Sequence, residues 1–262
     1  FSEQQNAAMA AAEPNDLDLS IVVPLCDAAP FISLMFEEID RISNVMVRHE
    51  LFVINAASTD GSKSRIASRA EVQPHVYDIH MTYRQAAGYL RNLVIPLLEG
   101  RYVFFLDSDD VIDPVAMEQA VNAAMRFGAD VLMVPYQLEF ITMQAMGRSG
   151  NRSEVSTLMG MDKYDNATWE KVSALQSSSA TREAAMTLVN YPWNRIARTG
   201  MLHAQQVFFG TTIVQNDVQY HWHVLSSAER VAFLSATTAP VCYHKKFVSS
   251  SRMQLTKVQS AG

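Results

Sequence analysis

The stretch Tyr102-Val103-Phe104-Phe105-Leu106-Asp107-Ser108-Asp109-Asp110 decides how this chain is read. Its first five residues are apolar and mostly aromatic or β-branched, the composition of a strand buried on both faces. The strand runs straight into three carboxylates within four residues. Like charges packed this closely are costly unless a cation offsets them. Oxygen donors on a loop suit Mg²⁺ or Mn²⁺. A metal held there can bridge a diphosphate and neutralise charge on a leaving group. The other reading of such a cluster is a solvated acidic turn that caps the next helix. Asp113, directly before Pro114, fits that capping role. Asp107 and Asp109 are read as metal ligands, because the strand delivers them to the binding edge of a sheet.

Outward from this stretch, strands and helices alternate. Residues 1–16 read as a disordered leader. Leu17–Pro24 is a buried strand closed by proline, and apolar residues at helical spacing follow over about 30–47. Leu51–Asn55 is a second strand, and Ser58-Thr59-Asp60-Gly61 supplies turn and cap chemistry before a polar helix near 60–70. His75–His80 is a weaker strand, followed by a helix near 84–98. Beyond Asp110 come a helix through Met117, Ala120, Val121 and Ala124 and a strand over 130–138. This order implies a mixed, mostly parallel sheet with helices on both faces. Ligands bind such sheets at the carboxyl ends of the strands. Residues 142–180, rich in Ser, Met, Thr, Asn and Gly, read as a mobile loop or lid with a short helix candidate near 168–175. They carry two glycosylation tripeptides, at Asn151 and Asn166, which matter only in a secreted chain. Residues 182–250 read as ordered again, with helices at 182–189 and 218–227 and short strands at 230–234 and 241–244. Residues 251–262 form a tail. The division is one domain over 17–250, made of a half at 17–138, a loop at 139–181 and a half at 182–250.

Composition narrows the function. The 262 residues are 48% hydrophobic and 18% charged, with a formal net charge of −6 and no Lys/Arg-rich run. A general electrostatic grip on nucleic acid is therefore excluded from the expectations. The two cysteines, Cys26 and Cys242, form no CxxC pair and read as free, partly buried thiols. No apolar run reaches membrane-spanning length. The expected location is cytoplasmic or membrane-associated, the latter through a segment outside this chain.

Five blocks, in order over residues 17–250, resemble glycosyltransferase family 2. GRYVFFLDSDDVIDP, from Gly100 to Pro114, is similar to the family's DxD region. SIVVPLCDAAPF at 20–31 resembles its first strand and turn, with Asp27 where Asn is usual. Tyr83–Leu98 resembles the segment that ends in Arg91-Asn92. PWNRIARTGML at 192–202 resembles the acceptor-side Trp-Asn-Lys motif. NDVQYHWHVLSSAERVAFL at 216–234 resembles the Glu-Asp motif and its helix, and VCYHKKF resembles the closing strand.

The resemblance implies a GT-A fold and transfer from a nucleotide-sugar, a UDP-sugar, to a hydroxyl of a glycan, glycolipid or glycoprotein. It implies Asp107 on the donor ribose or the metal, with Ser108 beside it, and Asp109 as principal ligand of Mn²⁺ or Mg²⁺. Pro24, Leu25 and Asp27 would border the nucleoside pocket, with Ala56 at its base-contacting position and Arg91 near base or diphosphate. Asp217 would be the catalytic base of an inverting displacement. Its other reading is the cap of a helix beginning near Val218. Asp110, Trp193 and Asn194 would lie on the acceptor side. Trp193 reads equally as a ring stacked on a sugar or as a core aromatic. His244 reads as a late metal ligand or as a surface histidine. His221 and His223, two apart on a helix, face different ways and make poor joint ligands.

The chain departs from the family's Asp-Asp-Gly-Ser-Thr-Asp turn, reading Asn55-Ala56-Ala57-Ser58-Thr59-Asp60, and Asn216 replaces the Glu of the Glu-Asp pair. These changes raise a rival: a pseudo-glycosyltransferase that binds a glycan or partner protein without turnover. A nucleotidyltransferase is a third reading. The absence of a Gly-rich phosphate loop after the first strand and the blocks at 192–202 and 216–225 speak against it.

Overall fold

The computed structural model describes residues 17–42, 47–142, 178–234 and 241–248. Its centre is a seven-stranded sheet in the order β3-β2-β1-β4-β8-β6-β9. The strands are β1 (Leu19–Leu25), β2 (His49–Ala56), β3 (Val76–Met81), β4 (Tyr102–Phe105), β6 (Val131–Met133), β8 (Arg195–Arg198) and β9 (Val231–Phe233). β1 pairs in parallel with β2 and with β4, β2 with β3, and β6 with β9. β8 alone runs antiparallel, between β4 and β6. A second sheet places β10 (Cys242–Val248) between β5 (Val111–Ile112) and β7 (Tyr136–Thr142).

Alternation along the strands builds two cores, one per face. On β4, Tyr102 and Phe104 enter the first, as does Leu106 just past the strand, while Val103 and Phe105 enter the second. The first core is covered by α1 (Ala29–Ile42), through Ile32, Met35 and Ile39, and by α4 (Pro114–Phe127), through Met117, Ala120 and Val121. The second is covered by α3 (Ala87–Val94), through Leu90 and Val94, and by α7 (Asn216–Ser227), through Tyr220, Val224 and Leu225. α2 (Ser62–Ala70), α5 (Ser178–Met186) and α6 (Thr199–Ala204) complete the helices of the described residues.

The capping expectation at Asp113 holds: its Oδ1 accepts from the Ala116 amide at 2.8 Å, with Pro114 first in α4 and Gly128 in the left-handed region at its end. Three expectations are corrected. The strand expected over 130–138 is two strands in different sheets, because the chain leaves the main sheet at Val134-Pro135. The helix expected over 84–98 is α3 followed by a 3₁₀ turn at Ile95–Leu97, where Pro96 cannot extend the α ladder. α7 begins at Asn216, so Asp217 lies inside its first turn and is not its cap. The lid at 142–180, its helix candidate and both glycosylation tripeptides lie almost wholly outside the described residues. Both cysteines are free thiols. No described helix is long and apolar enough to cross a membrane.

Candidate functional site

The site forms where the sheet order turns. β1 lies between β2 on one side and β4 on the other, so the chain leaves β1 and β4 into a crevice between their carboxyl ends. Asp107 follows β4 directly. A backbone bond from the Asp110 amide to the Asp107 carbonyl, at 3.1 Å, closes the acidic turn. Asp107, Ser108 and Asp109 are half-buried on this turn, and Asp110 is buried.

Opposite, the β1 loop is tied to the β2 loop. Asp27, at φ 50°, takes the Thr59 amide on Oδ1 at 2.8 Å and pairs with Arg84 through Oδ2. Its own amide donates to Ser58 Oγ at 2.8 Å. Asp60 accepts from the Ala29 amide at 2.8 Å, which supplies from a neighbouring loop the cap that α1 lacks locally. Pro24 and Leu25 are buried within β1, in register with Ile54 and Asn55. Ala56 departs from its expected place. It is 1% exposed and belongs to the second core, so its methyl group packs there.

Arg91 joins the two halves. Its guanidinium is buried, donates from Nη2 to Asp107 Oδ1 at 2.6 Å and from Nη1 to Asn216 Oδ1 at 3.5 Å, and lies 5.0 Å from the Phe209 ring centroid. It therefore anchors the acidic turn from below and is not open toward a base or diphosphate. Asn216, standing where the family has Glu, keeps this contact with a neutral oxygen. Sequence reasoning gave Asn92 no role of its own, yet its side chain clamps the Phe209 backbone, with Nδ2 to the carbonyl at 3.0 Å and Oδ1 from the amide at 2.8 Å. Gly88 lets α3 approach this segment. A Cβ there would sit 2.2 Å from the Gly210 carbonyl oxygen and 2.8 Å from Asn216 Cβ.

Asp217 is thereby brought beside Arg91 and Asp107. Burial pushes its carboxyl above the usual range, and Asp107 adds to the rise. Its own backbone amide, Arg91 and Arg195 oppose it. A carboxyl raised in this way is a stronger proton acceptor than an exposed Asp.

Trp193 and Asn194 do not reach the crevice. Trp193 is 0% exposed, stacked on Tyr191 at 4.5 Å and edge-on to Tyr136 at 4.9 Å, so it packs the core and leaves no ring face for an acceptor. Asn194 is equally buried. It donates to the Val189 carbonyl at 3.0 Å and accepts from Arg195 Nε at 2.8 Å. His244 lies on β10, one residue past the Tyr243–Val111 pair and thus toward the Asp110 end of β5; its side chain is outside the described residues.

Two carboxylates, Asp107 and Asp109, stand half-buried on one turn. No group of three or more His, Cys, Asp or Glu side chains gathers among the described residues. This donor set fits Mg²⁺ or Mn²⁺, which are held by one or two carboxylates with substrate phosphates completing the shell.

The family model described as "Glycosyl transferase family 2" matches residues 20–184, well over half of the chain. The chain is 32% identical over 113 residues to the glycosyltransferase YibD of Escherichia coli, covering 43% of this chain. It is 22% identical over 225 residues to the glycosyltransferase GlyA of Streptococcus pneumoniae, covering 84% of this chain. It spans about a third of the length of either relative, 32% and 30% respectively. In fold it is similar to S. aureus TarS in complex with UDP, with a TM-score of 0.63 at 19% identity, over 92% of this chain and 63% of TarS. It is also similar to the mannosyltransferase PcManGT of Pyrobaculum calidifontis in complex with GDP-Man and Mn²⁺, with a TM-score of 0.59 at 14% identity, over 98% of this chain and 67% of that one.

Proposed function

The chain belongs to glycosyltransferase family 2 and has a GT-A fold, and from this premise we propose that it transfers a sugar from a UDP-sugar to a hydroxyl of a glycan, glycolipid or glycoprotein, with inversion at the anomeric carbon. The observation that carries the reading is the convergence of Asp107, Arg91 and Asp217 at the carboxyl edge of the sheet. Arg91 fixes the acidic turn. Asp107 and Asp109 would hold Mn²⁺ or Mg²⁺, which when bound neutralises charge on the departing diphosphate. Asp217 takes the proton from the acceptor hydroxyl as that oxygen attacks. The UDP bound to TarS and the GDP-Man and Mn²⁺ bound to PcManGT support a nucleotide-sugar donor with a metal on this fold.

Asp217→Asn tests the assignment. Asparagine keeps the shape and a side-chain oxygen for the Asp217 backbone amide, and it removes the basicity. Transfer should fall by about 10²–10⁴-fold, with nucleotide affinity within about twofold of the parent. Retained turnover, or lost nucleotide binding, removes Asp217 from the role.

A further inference from the structure

From Thr199 to Ala228 the chain carries a single Asp, Glu, Lys or Arg, and it is Asp217. The chain as a whole is 18% charged, so this stretch is depleted of charge. Its exposed surface is apolar instead. Phe208, Ile213, Val214, Val218 and Trp222 all stand in solvent, Ile213 being 89% exposed and Val214 70%. A lone exposed apolar residue is ordinary, but five between positions 208 and 222 form a patch, and a patch marks an interaction surface.

The patch is built into the fold. Ile213 and Val214 form the tip of the loop that leads into α7. The Gly210 amide donates to the Asn216 carbonyl at 2.7 Å and closes the loop at its base. Thr212 Oγ1 donates to the Val214 carbonyl at 2.8 Å, and Asn216 Nδ2 to the Thr212 carbonyl at 3.5 Å. Gln215 completes the turn at φ 56°, in the left-handed region that a residue with a Cβ enters at a cost. These bonds hold two aliphatic side chains outward, in water. Val218 and Trp222 continue the patch one turn apart on the same face of α7. Phe208 flanks them, its ring edge-on to His223 at 5.2 Å.

The shape and chemistry of the patch identify its occupant. The aliphatic pair projects from a loop tip, a convex form suited to insertion. The surface around it offers hydrogen bonds without charge, through the exposed Thr211, Gln215 and Gln219. That matches a headgroup layer and avoids the cost of pressing charge against acyl chains. Trp222 stands at the flank, where an amphipathic ring settles at headgroup level. A partner protein is commonly gripped through arginine as well as aromatic residues, and the stretch from Thr199 to Ala228 holds no arginine.

We propose that this loop tip and the outer face of α7 are a docking surface for a lipid bilayer, with Ile213 and Val214 seated among the upper acyl chains and Trp222 among the headgroups. Asp217 stands between the tip and Val218 in the chain, so docking brings the candidate base to the bilayer surface and suits an acceptor carried on a lipid. That consequence rests on the reading of Asp217 as the base; the docking itself does not.

Sedimentation of the full chain with vesicles of pure phosphatidylcholine tests the docking without turnover. The parent should bind, and raising the salt from about 0.1 to about 0.5 M should leave binding within about twofold, because no cation takes part. Trp222 emission should shift to the blue as the ring leaves water, and Trp222→Phe should lack the shift. Ile213→Ser combined with Val214→Ser should weaken vesicle binding at least about tenfold. UDP affinity should stay as in the parent, since both side chains face solvent. If the double variant fails to fold, the Trp222 emission of the parent decides alone. An absence of binding to neutral vesicles overturns the proposal. So does binding that requires anionic lipid and is released by salt, which would put the contact on a basic surface elsewhere. Self-association that the double variant abolishes, without vesicle binding, overturns it in favour of a contact between copies of the chain. Vesicle binding alongside an active Asp217→Asn leaves the docking standing and overturns the reading of the base.

Discussion

Ala57 adopts φ 53°, in the left-handed region where a Cβ is strained. It stands where the family's turn has glycine, so the departure visible in the sequence has a backbone cost in the structure. Ala57→Gly should relieve it and raise unfolding stability by about 1 kcal/mol, read as a shift in the denaturant midpoint at constant slope. An unchanged or lowered midpoint would mean that the turn tolerates the methyl group. Ala56 teaches the opposite lesson. The sequence marks it as a missing base contact, but strand alternation turns it into the second core, where a carboxylate would be desolvated without a partner. Asp107 and Asp109 were legible because an apolar strand and its carboxylates adjoin in sequence. The buried contact of Arg195 with His221 was not, since its partners stand 26 residues apart.

At the scale of elements, the longer ones were readable and the short ones were not. α1 and α4, of 14 residues each, carry enough turns for a 3.6-residue period to show. β5 has two residues and β8 four, too few for any period, and both are set by pairing with distant strands. The contact of α3 with α7 was hidden for the same reason, although it holds Arg91 against Asn216. Gly88 is its pivot. Gly88→Ala would drive a methyl group into the Gly210 carbonyl and the Asn216 side chain, neither of them a flexible end that can swing away. The expected cost is about 1–3 kcal/mol of stability. Transfer activity should drop further than that loss of folded protein explains, because the helix that carries Asp217 is displaced. Thermal unfolding and specific activity per folded molecule check both parts; wild-type values in each would show that α3 has room to spare.

For the whole molecule, one topological fact organises the rest. The sheet order turns at β1, and the loops that leave β1, β2 and β4 meet there, with α3 and α7 closing the crevice from the second face. The parallel order was foreseeable from strand–helix alternation. The antiparallel β8 and the separate sheet of β5, β10 and β7 were not, because the pairings join residues far apart in the chain. The three-stranded sheet brings β10, and with it His244, to the strand that follows the acidic turn. The central proposal is the acidic turn as a joint site for metal and nucleotide. Isothermal titration of UDP into the full chain, with and without Mn²⁺, and into Asp109→Ala, tests it most directly. UDP binding should tighten at least about tenfold with Mn²⁺, a gain of about 1.4 kcal/mol, and the variant should lose that gain. Equal UDP affinity with and without the metal, or an Asp109→Ala variant that binds both as the parent does, would contradict it.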